Sequence, residues 1–157
     1  MSLTLISIAL FVTPLLQGPQ LLPAFDVQSV DGVESPSAAL ARDGRWVLVY
    51  VQPRCRPCDS LLSLLKKEDL PRPERVVILV GGSLEEAKAL SSRFPELAAA
   101  SWYVDKAGGF ESLKLTGVPI VLGLQESRIG WRLAGVLPKS SDMRSIVLSW
   151  IEEIRAK

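Results

Sequence analysis

The chain has 157 residues, 48% apolar and 22% charged, and its 18 Lys+Arg against 17 Asp+Glu leave a formal net charge of +1. That length supports one hydrophobic core and is short for two, and the interspersed charges build neither a basic field for nucleic acid nor an acidic tail. There is no histidine, which excludes Ser-His and Cys-His nucleophile pairs, imidazole-based zinc and copper sites, and any general base titrating unperturbed near neutrality.

Residues 3–16 are almost wholly apolar, and no Lys or Arg precedes Arg42. As a helix this stretch reaches about 21 Å, short of an ~30 Å hydrocarbon core. It therefore reads as the apolar part of a signal peptide or, extended toward Leu22, as a membrane anchor. The expected division is 1–22 as signal peptide or anchor and 23–157 as the folded domain. The alternative is an N-terminal core element of a cytosolic protein.

From Phe25 to Val30 apolar and polar residues alternate up to the turn signal Asp31-Gly32, which predicts a leading β-hairpin. Residues 47–51 (VLVYV) and 76–80 (VVILV) are continuous apolar runs, the pattern of mid-sheet strands covered on both faces and therefore parallel. Between them Cys58, Leu61, Leu62 and Leu65 recur at helical spacing, with Lys66 and Lys67 suited to the negative end of that helix. Ser83 and Glu86 form a capping-box pattern ahead of Leu84, Ala87 and Leu90, so a second helix is expected to end before Pro95. Residues 102–104 predict a third strand, and 110–115 a helical turn or two before Gly117. Residues 120–124 and 128–133 predict an antiparallel hairpin, which makes the sheet mixed. Ile146, Val147, Trp150, Ile151 and Ile154 predict a closing amphipathic helix.

The only two cysteines, Cys55 and Cys58, form one C-x-x-C where a buried strand gives way to a helix. The first helical N–H groups have no intrahelical partner, and the helix dipole adds positive potential there. A Cys55 thiolate is favoured at that position, below the free-thiol pKa of about 8.5, which makes Cys55 the candidate nucleophile. Cys58, three residues on and facing the core, is the candidate resolving thiol. Pro57 suits the first helical position, where its missing N–H is no loss. Arg54 and Arg56 flank the nucleophile with positive charge, and Asp59 pulls the other way on the second thiol. A zinc site would need about four ligands and finds no second cluster here. An inert structural disulfide would close so short a loop that it adds little stability. Two merely packed cysteines would want apolar neighbours rather than Arg54, Arg56 and Asp59.

The order hairpin, strand, C-x-x-C, helix, strand, helix, strand, Val118-Pro119, hairpin, helix resembles the exported thiol-disulfide oxidoreductases of the TlpA type, relatives of the redoxins. The likeness covers roughly Pro23 to the C-terminus. It rests on the approach from Phe25 through residues 46–51 to Cys55, and on Gly117-Val118-Pro119-Ile120. The resemblance implies an α/β, thioredoxin-like fold, with a mixed central sheet flanked by helices and an N-terminal β-hairpin extension. It implies a cis Pro119 facing the disulfide, and a Val118 backbone that pairs with a substrate chain. It further implies dithiol exchange with protein disulfides or dithiols outside the cytosol, electrons from a membrane thiol reductase, and no bound cofactor or metal. Two departures stand out: Arg54 replaces the tryptophan common before the first cysteine, and Val49 stands where a buried acid often lies, leaving Cys58 without an evident proton acceptor. The rival is a thioredoxin-like binding or maturation module with weak or no redox turnover. Gly81-Gly82 reads as a simple turn, Glu85-Glu86 and Glu152-Glu153 as solvated helix faces, and the four tryptophans as packing.

Overall fold

The computed structural model describes residues 20–66, 70, 72–137 and 139–152. All but residues 20–22 of the expected leader, and with it Lys67 and Ile154, lie outside the described residues. In chain order the strands and helices are β1 (Gln20–Leu21), β2 (Asp26–Ser29), β3 (Glu34–Pro36), β4 (Arg45–Val51), α1 (Arg56–Lys66), β5 (Val76–Val80), α2 (Leu84–Arg93), β6 (Ser101–Ala107), the one-turn α3 (Gly109–Ser112), β7 (Ile120–Gln125), β8 (Arg128–Ala134) and α4 (Ser140–Glu152).

The strands form one mixed sheet in the order β1-β8-β7-β4-β5-β6-β2-β3. β4 runs parallel to β5, and β5 to β6, while β7 lies antiparallel on the other side of β4 and pairs with β8 as a hairpin. The apolar runs are therefore mid-sheet, as their composition requires. Successive side chains of a strand point to opposite faces, and β4 divides accordingly. Val47, Val49 and Val51 enter the core layer with Cys58, Leu61, Leu62 and Leu65 of α1, Ala87 and Leu90 of α2, and Met143, Val147 and Ile151 of α4. Trp46, Leu48 and Tyr50 enter the opposite layer with Phe25, Leu40, Leu113, Leu122 and Leu124. Three helices cover one face; loops, a 3-10 turn and α3 cover the other.

The leading hairpin forms as β2 and β3 around Asp31-Gly32, with Gly32 at φ 94°, a conformation glycine adopts without penalty. It docks antiparallel on β6 and extends the sheet on that side. β1 pairs with β8, and the Leu22 amide donates to the Ser127 carbonyl at 2.8 Å. Residues 20–22 thus belong to the folded unit, three residues ahead of the Pro23 boundary. The tryptophans pack: Trp46 and Trp102 are buried, and Trp131 meets Trp150 edge to face with ring centroids 5.8 Å apart. Gly123 on β7 makes room for this arrangement, since a Cβ there would run into the Trp131 indole.

A polar anchor sits under the sheet end at which β4, β5 and β6 finish. The Tyr50 hydroxyl donates to Asp105 Oδ2 at 2.7 Å, and the same carboxylate accepts the first amides of α3, Gly109 N at 2.9 Å on Oδ1 and Phe110 N at 2.9 Å on Oδ2. Burial, and then the hydrogen bond to Asp105, push the Tyr50 phenol well above its ordinary range. The unfolded chain releases this proton near pH 10 whereas the folded one retains it, so the tyrosine withdraws stability as pH rises past about 10. We expect alkaline denaturant titrations of the wild type to lose stability over that interval more steeply than Tyr50→Phe, which costs about 1.5 kcal/mol at neutral pH through the lost bond. Equal alkaline slopes for the two proteins would contradict this account.

Candidate active site

β4 ends at Val51 and α1 begins at Arg56, so Cys55 stands immediately before the helix. Its carbonyl accepts the first intrahelical bond, from the Asp59 amide at 3.0 Å, and its sulfur accepts the Cys58 amide at 3.2 Å. Cys55 therefore caps α1, with sulfur in the place usually taken by a Ser or Asp oxygen. An amide N–H aimed at Sγ at the positive end of a helix is the arrangement that favours negative charge on that sulfur. The two cysteines are joined in a disulfide, with Cα atoms 5.2 Å apart. Cys55 is half-buried at the rim, whereas Cys58 is fully buried in the layer that holds Val49, Val51 and Leu62.

Pro57 departs from the expectation by one position. Arg56 is the first helical residue and Pro57 the second, still among the positions whose N–H has no intrahelical acceptor, so the missing donor remains costless. The flanking arginines part ways. Arg56 is exposed. Arg54 adopts a left-handed backbone, φ 55°, and sends its guanidinium to Glu86 Oε1 on α2 at 3.0 Å. Asp59 is likewise engaged with α2, accepting from Arg93 at 2.7 Å, while its Oδ1 is buried and finds no hydrogen-bond partner among the described residues. Val49, at the position where an acid is common in the resembled family, lies wholly inside the apolar layer that also contains Cys58.

The Val118-Pro119 peptide bond is cis. Because Tyr50 pairs with Ile120 and Val49 with Val121 in the antiparallel β4/β7 ladder, Pro119 comes level with Val51, the last residue of β4, and Val118 one step beyond it, at the end of the sheet that carries the dithiol. Val118 packs against both core layers, one of which includes the two cysteines. The chain thus gathers Cys55, Cys58, Arg56, Pro57, Val118 and Pro119 at one end of the sheet, and turns the Arg54 side chain toward α2.

Three features of the site carry no local signal in the sequence. Glu86 was legible as a helix cap, and the capping box with Ser83 is present, but its second partner, Arg54, was not. Gly81 and Gly82 are more than a turn, because a Cβ on Gly81 would meet the Tyr50 hydroxyl and one on Gly82 would meet Pro53 and Glu86. The Asp59–Arg93 pair joins two helices that are far apart in sequence.

No protein-family model matches the chain, and no curated protein matches it. Among solved structures it is similar to DsbF of Mycobacterium tuberculosis in its mixed oxidised and reduced forms, at 15% identity and TM-score 0.64, covering 80% of this chain and 94% of that one. It is also similar to a secreted disulfide oxidoreductase of Mycobacterium tuberculosis homologous to Escherichia coli DsbE, at 14% identity and TM-score 0.63, covering 80% and 95%. A third likeness is to the exposed lipoprotein thioredoxin Etrx1 of Streptococcus pneumoniae, at 13% identity and TM-score 0.58, covering 79% and 97%. The fold is thioredoxin-like. In this sheet the central β4/β5/β7/β8 strands are flanked by β6 and the β2/β3 hairpin on one side and by β1 on the other.

Proposed function

We propose that the protein is a thiol-disulfide oxidoreductase that exchanges disulfides with partner proteins outside the cytosol. The observation that carries this reading is the sulfur of Cys55 at the rim, capping α1 and accepting the Cys58 amide, with Cys58 buried behind it and bonded to it. In the reducing direction the Cys55 thiolate attacks one sulfur of a partner disulfide. That S–S bond breaks, and the partner's other sulfur leaves as a thiolate. Cys58, after losing its proton, attacks Cys55 Sγ, expels the partner's second thiolate and leaves the Cys55–Cys58 disulfide. The partner gains two electrons and two protons, and the protein is oxidised by the same two electrons; the oxidising direction is the reverse.

Arg56 and the helix dipole support the thiolate, Pro57 stiffens the ring between the cysteines, and Val118 with Pro119 forms the edge on which a substrate chain docks. The presence of a secreted disulfide oxidoreductase and an exposed lipoprotein among the similar structures supports an extracytoplasmic, periplasmic-type address. The apolar residues 3–16 support a leader, cleaved or kept as a tether, and a membrane thiol reductase fits that address as electron donor. Among the described residues no helix is long and apolar enough to cross a membrane. The apolar surroundings of Cys58, with Val49 in place of an acid, favour a second reading, a binding or maturation module with slow turnover.

Alkylation of the reduced protein across pH, with each cysteine mapped by mass, separates the two. We expect Cys55 to react well below pH 8 and Cys58 to lag, and the pair to equilibrate with glutathione. Two thiols that react only above pH 8, or a disulfide that glutathione does not open, would leave only the binding module.

A further inference from the structure

The residue beside the nucleophile is tied to a helix outside the motif. Arg54 Nη2 donates to Glu86 Oε1 at 3.0 Å. The other oxygen of that carboxylate takes the Ser83 amide at 2.9 Å, while the Glu86 amide donates to Ser83 Oγ at 3.1 Å, closing the capping box of α2. Glu86 is therefore fixed by α2 before it meets Arg54. The loop is held at a second point, because Gly82 lets Pro53 and Glu86 approach: a Cβ there would fall 2.8 Å from Pro53 Cγ and 2.8 Å from Glu86 Oε2. Arg54 also holds a left-handed φ of 55°, uncommon for a residue with a side chain, directly before Cys55. Its side chain is 88% exposed, so the ion pair contributes little to stability. What it fixes is where a charge stands. Among the described residues the same elements also carry Arg56 on α1, exposed, Asp59 on α1, paired with Arg93 of α2, and Glu85, exposed in the first turn of α2.

We infer that Glu86 is a positioning residue for the nucleophile: it holds Arg54 against α2 and offsets its positive charge, moderating the field at the Cys55 sulfur. The inference rests on Cys55 being the attacking thiol, and it turns the substitution of Arg54 for tryptophan from an added cation into half of a neutral pair.

The test is a charge cycle read on one thiol. The full chain carrying Cys58→Ser is compared with the same chain plus Glu86→Gln, plus Arg54→Asn, and plus both. The readout is the pH dependence of Cys55 alkylation by iodoacetamide. Glutamine keeps an oxygen for the Ser83 amide, and asparagine tolerates the left-handed backbone. Glu86→Gln leaves Arg54 unopposed and is expected to lower the Cys55 midpoint by on the order of half a pH unit at low salt; Arg54→Asn leaves Glu86 unopposed and raises it by a similar amount. The double variant returns to the starting value, and salt at about 1 M collapses the differences. Arg54→Lys, which keeps the charge, holds the starting midpoint. Shifts of the same sign in both single variants, or no shift in either, overturn the inference and indicate a loop anchor only. Because the titration needs no turnover, a wild type that exchanges no disulfide with glutathione defeats the oxidoreductase reading alone, and opposite shifts would still sustain the role of Glu86.

Discussion

Cys55→Ser brings disulfide exchange down to the background of the assay, whereas Cys58→Ser yields a protein that attacks a disulfide once and stays attached to it. The asymmetry follows from where the two sulfurs sit. Cys55 is at the rim, with its sulfur accepting the Cys58 amide at the start of α1, and this backbone donor survives either substitution. Serine at position 55 puts a hydroxyl where a thiolate is needed, and a neutral hydroxyl does not open a disulfide at neutral pH. Serine at position 58 leaves the nucleophile intact and removes the one group placed to release it, since Cys58 is buried three residues on, in the first turn of α1. Mass spectrometry after incubation with oxidised glutathione should show one adduct per chain for Cys58→Ser, none for Cys55→Ser and little for the wild type. Adducts on both single variants in equal amount would mean that the two cysteines are interchangeable, and would remove the assignment of roles.

The second large effect is on stability. Asp105→Ala should cost about 3 kcal/mol or more, since the carboxylate accepts three hydrogen bonds and each buried donor left stranded costs about 1 kcal/mol or more. For a domain of this size that lowers the unfolding temperature by about 10 °C. Removal of Asp105 leaves the Tyr50 hydroxyl without its acceptor beneath Gly81, and frees the first amides of α3, the turn that leads through residues 113–117 to Val118-Pro119. Asp105→Asn, which keeps one oxygen, should recover part of the loss. An unfolding temperature unchanged in Asp105→Ala would show that solvent satisfies those donors as well as the carboxylate does.

The architecture was readable wherever a local pattern carried it. The apolar runs at 47–51 and 76–80 could be buried on two sides only in mid-sheet, and the Ser83/Glu86 pair announced α2 by the chemistry of its cap. Asp31-Gly32 marked the first hairpin. At the candidate site the dithiol, its place at a strand-to-helix junction and the cis proline position were legible, the last through resemblance alone. The side-chain pairs that hold the site together were not. Arg54 and Glu86 are 32 residues apart, and Tyr50 and Asp105 are 55 apart. No periodicity links residues at such separations, so Asp105 falls between the expected strand at 102–104 and the helical turn at 110–115, and Glu86 reads as one of two solvated acids. Pro57 stands one position later in the helix than its chemistry suggests, because a helix start is marked by its capping residue and sulfur is an unusual cap.

β3 closes its side of the sheet with only three residues, Glu34, Ser35 and Pro36, and the proline has no N–H to offer. A charged, clipped border of that kind gives an incoming extended segment almost nothing to hydrogen-bond with. Along that border the fold resists strand-by-strand association with other polypeptides, and so carries its own guard against edge-to-edge aggregation.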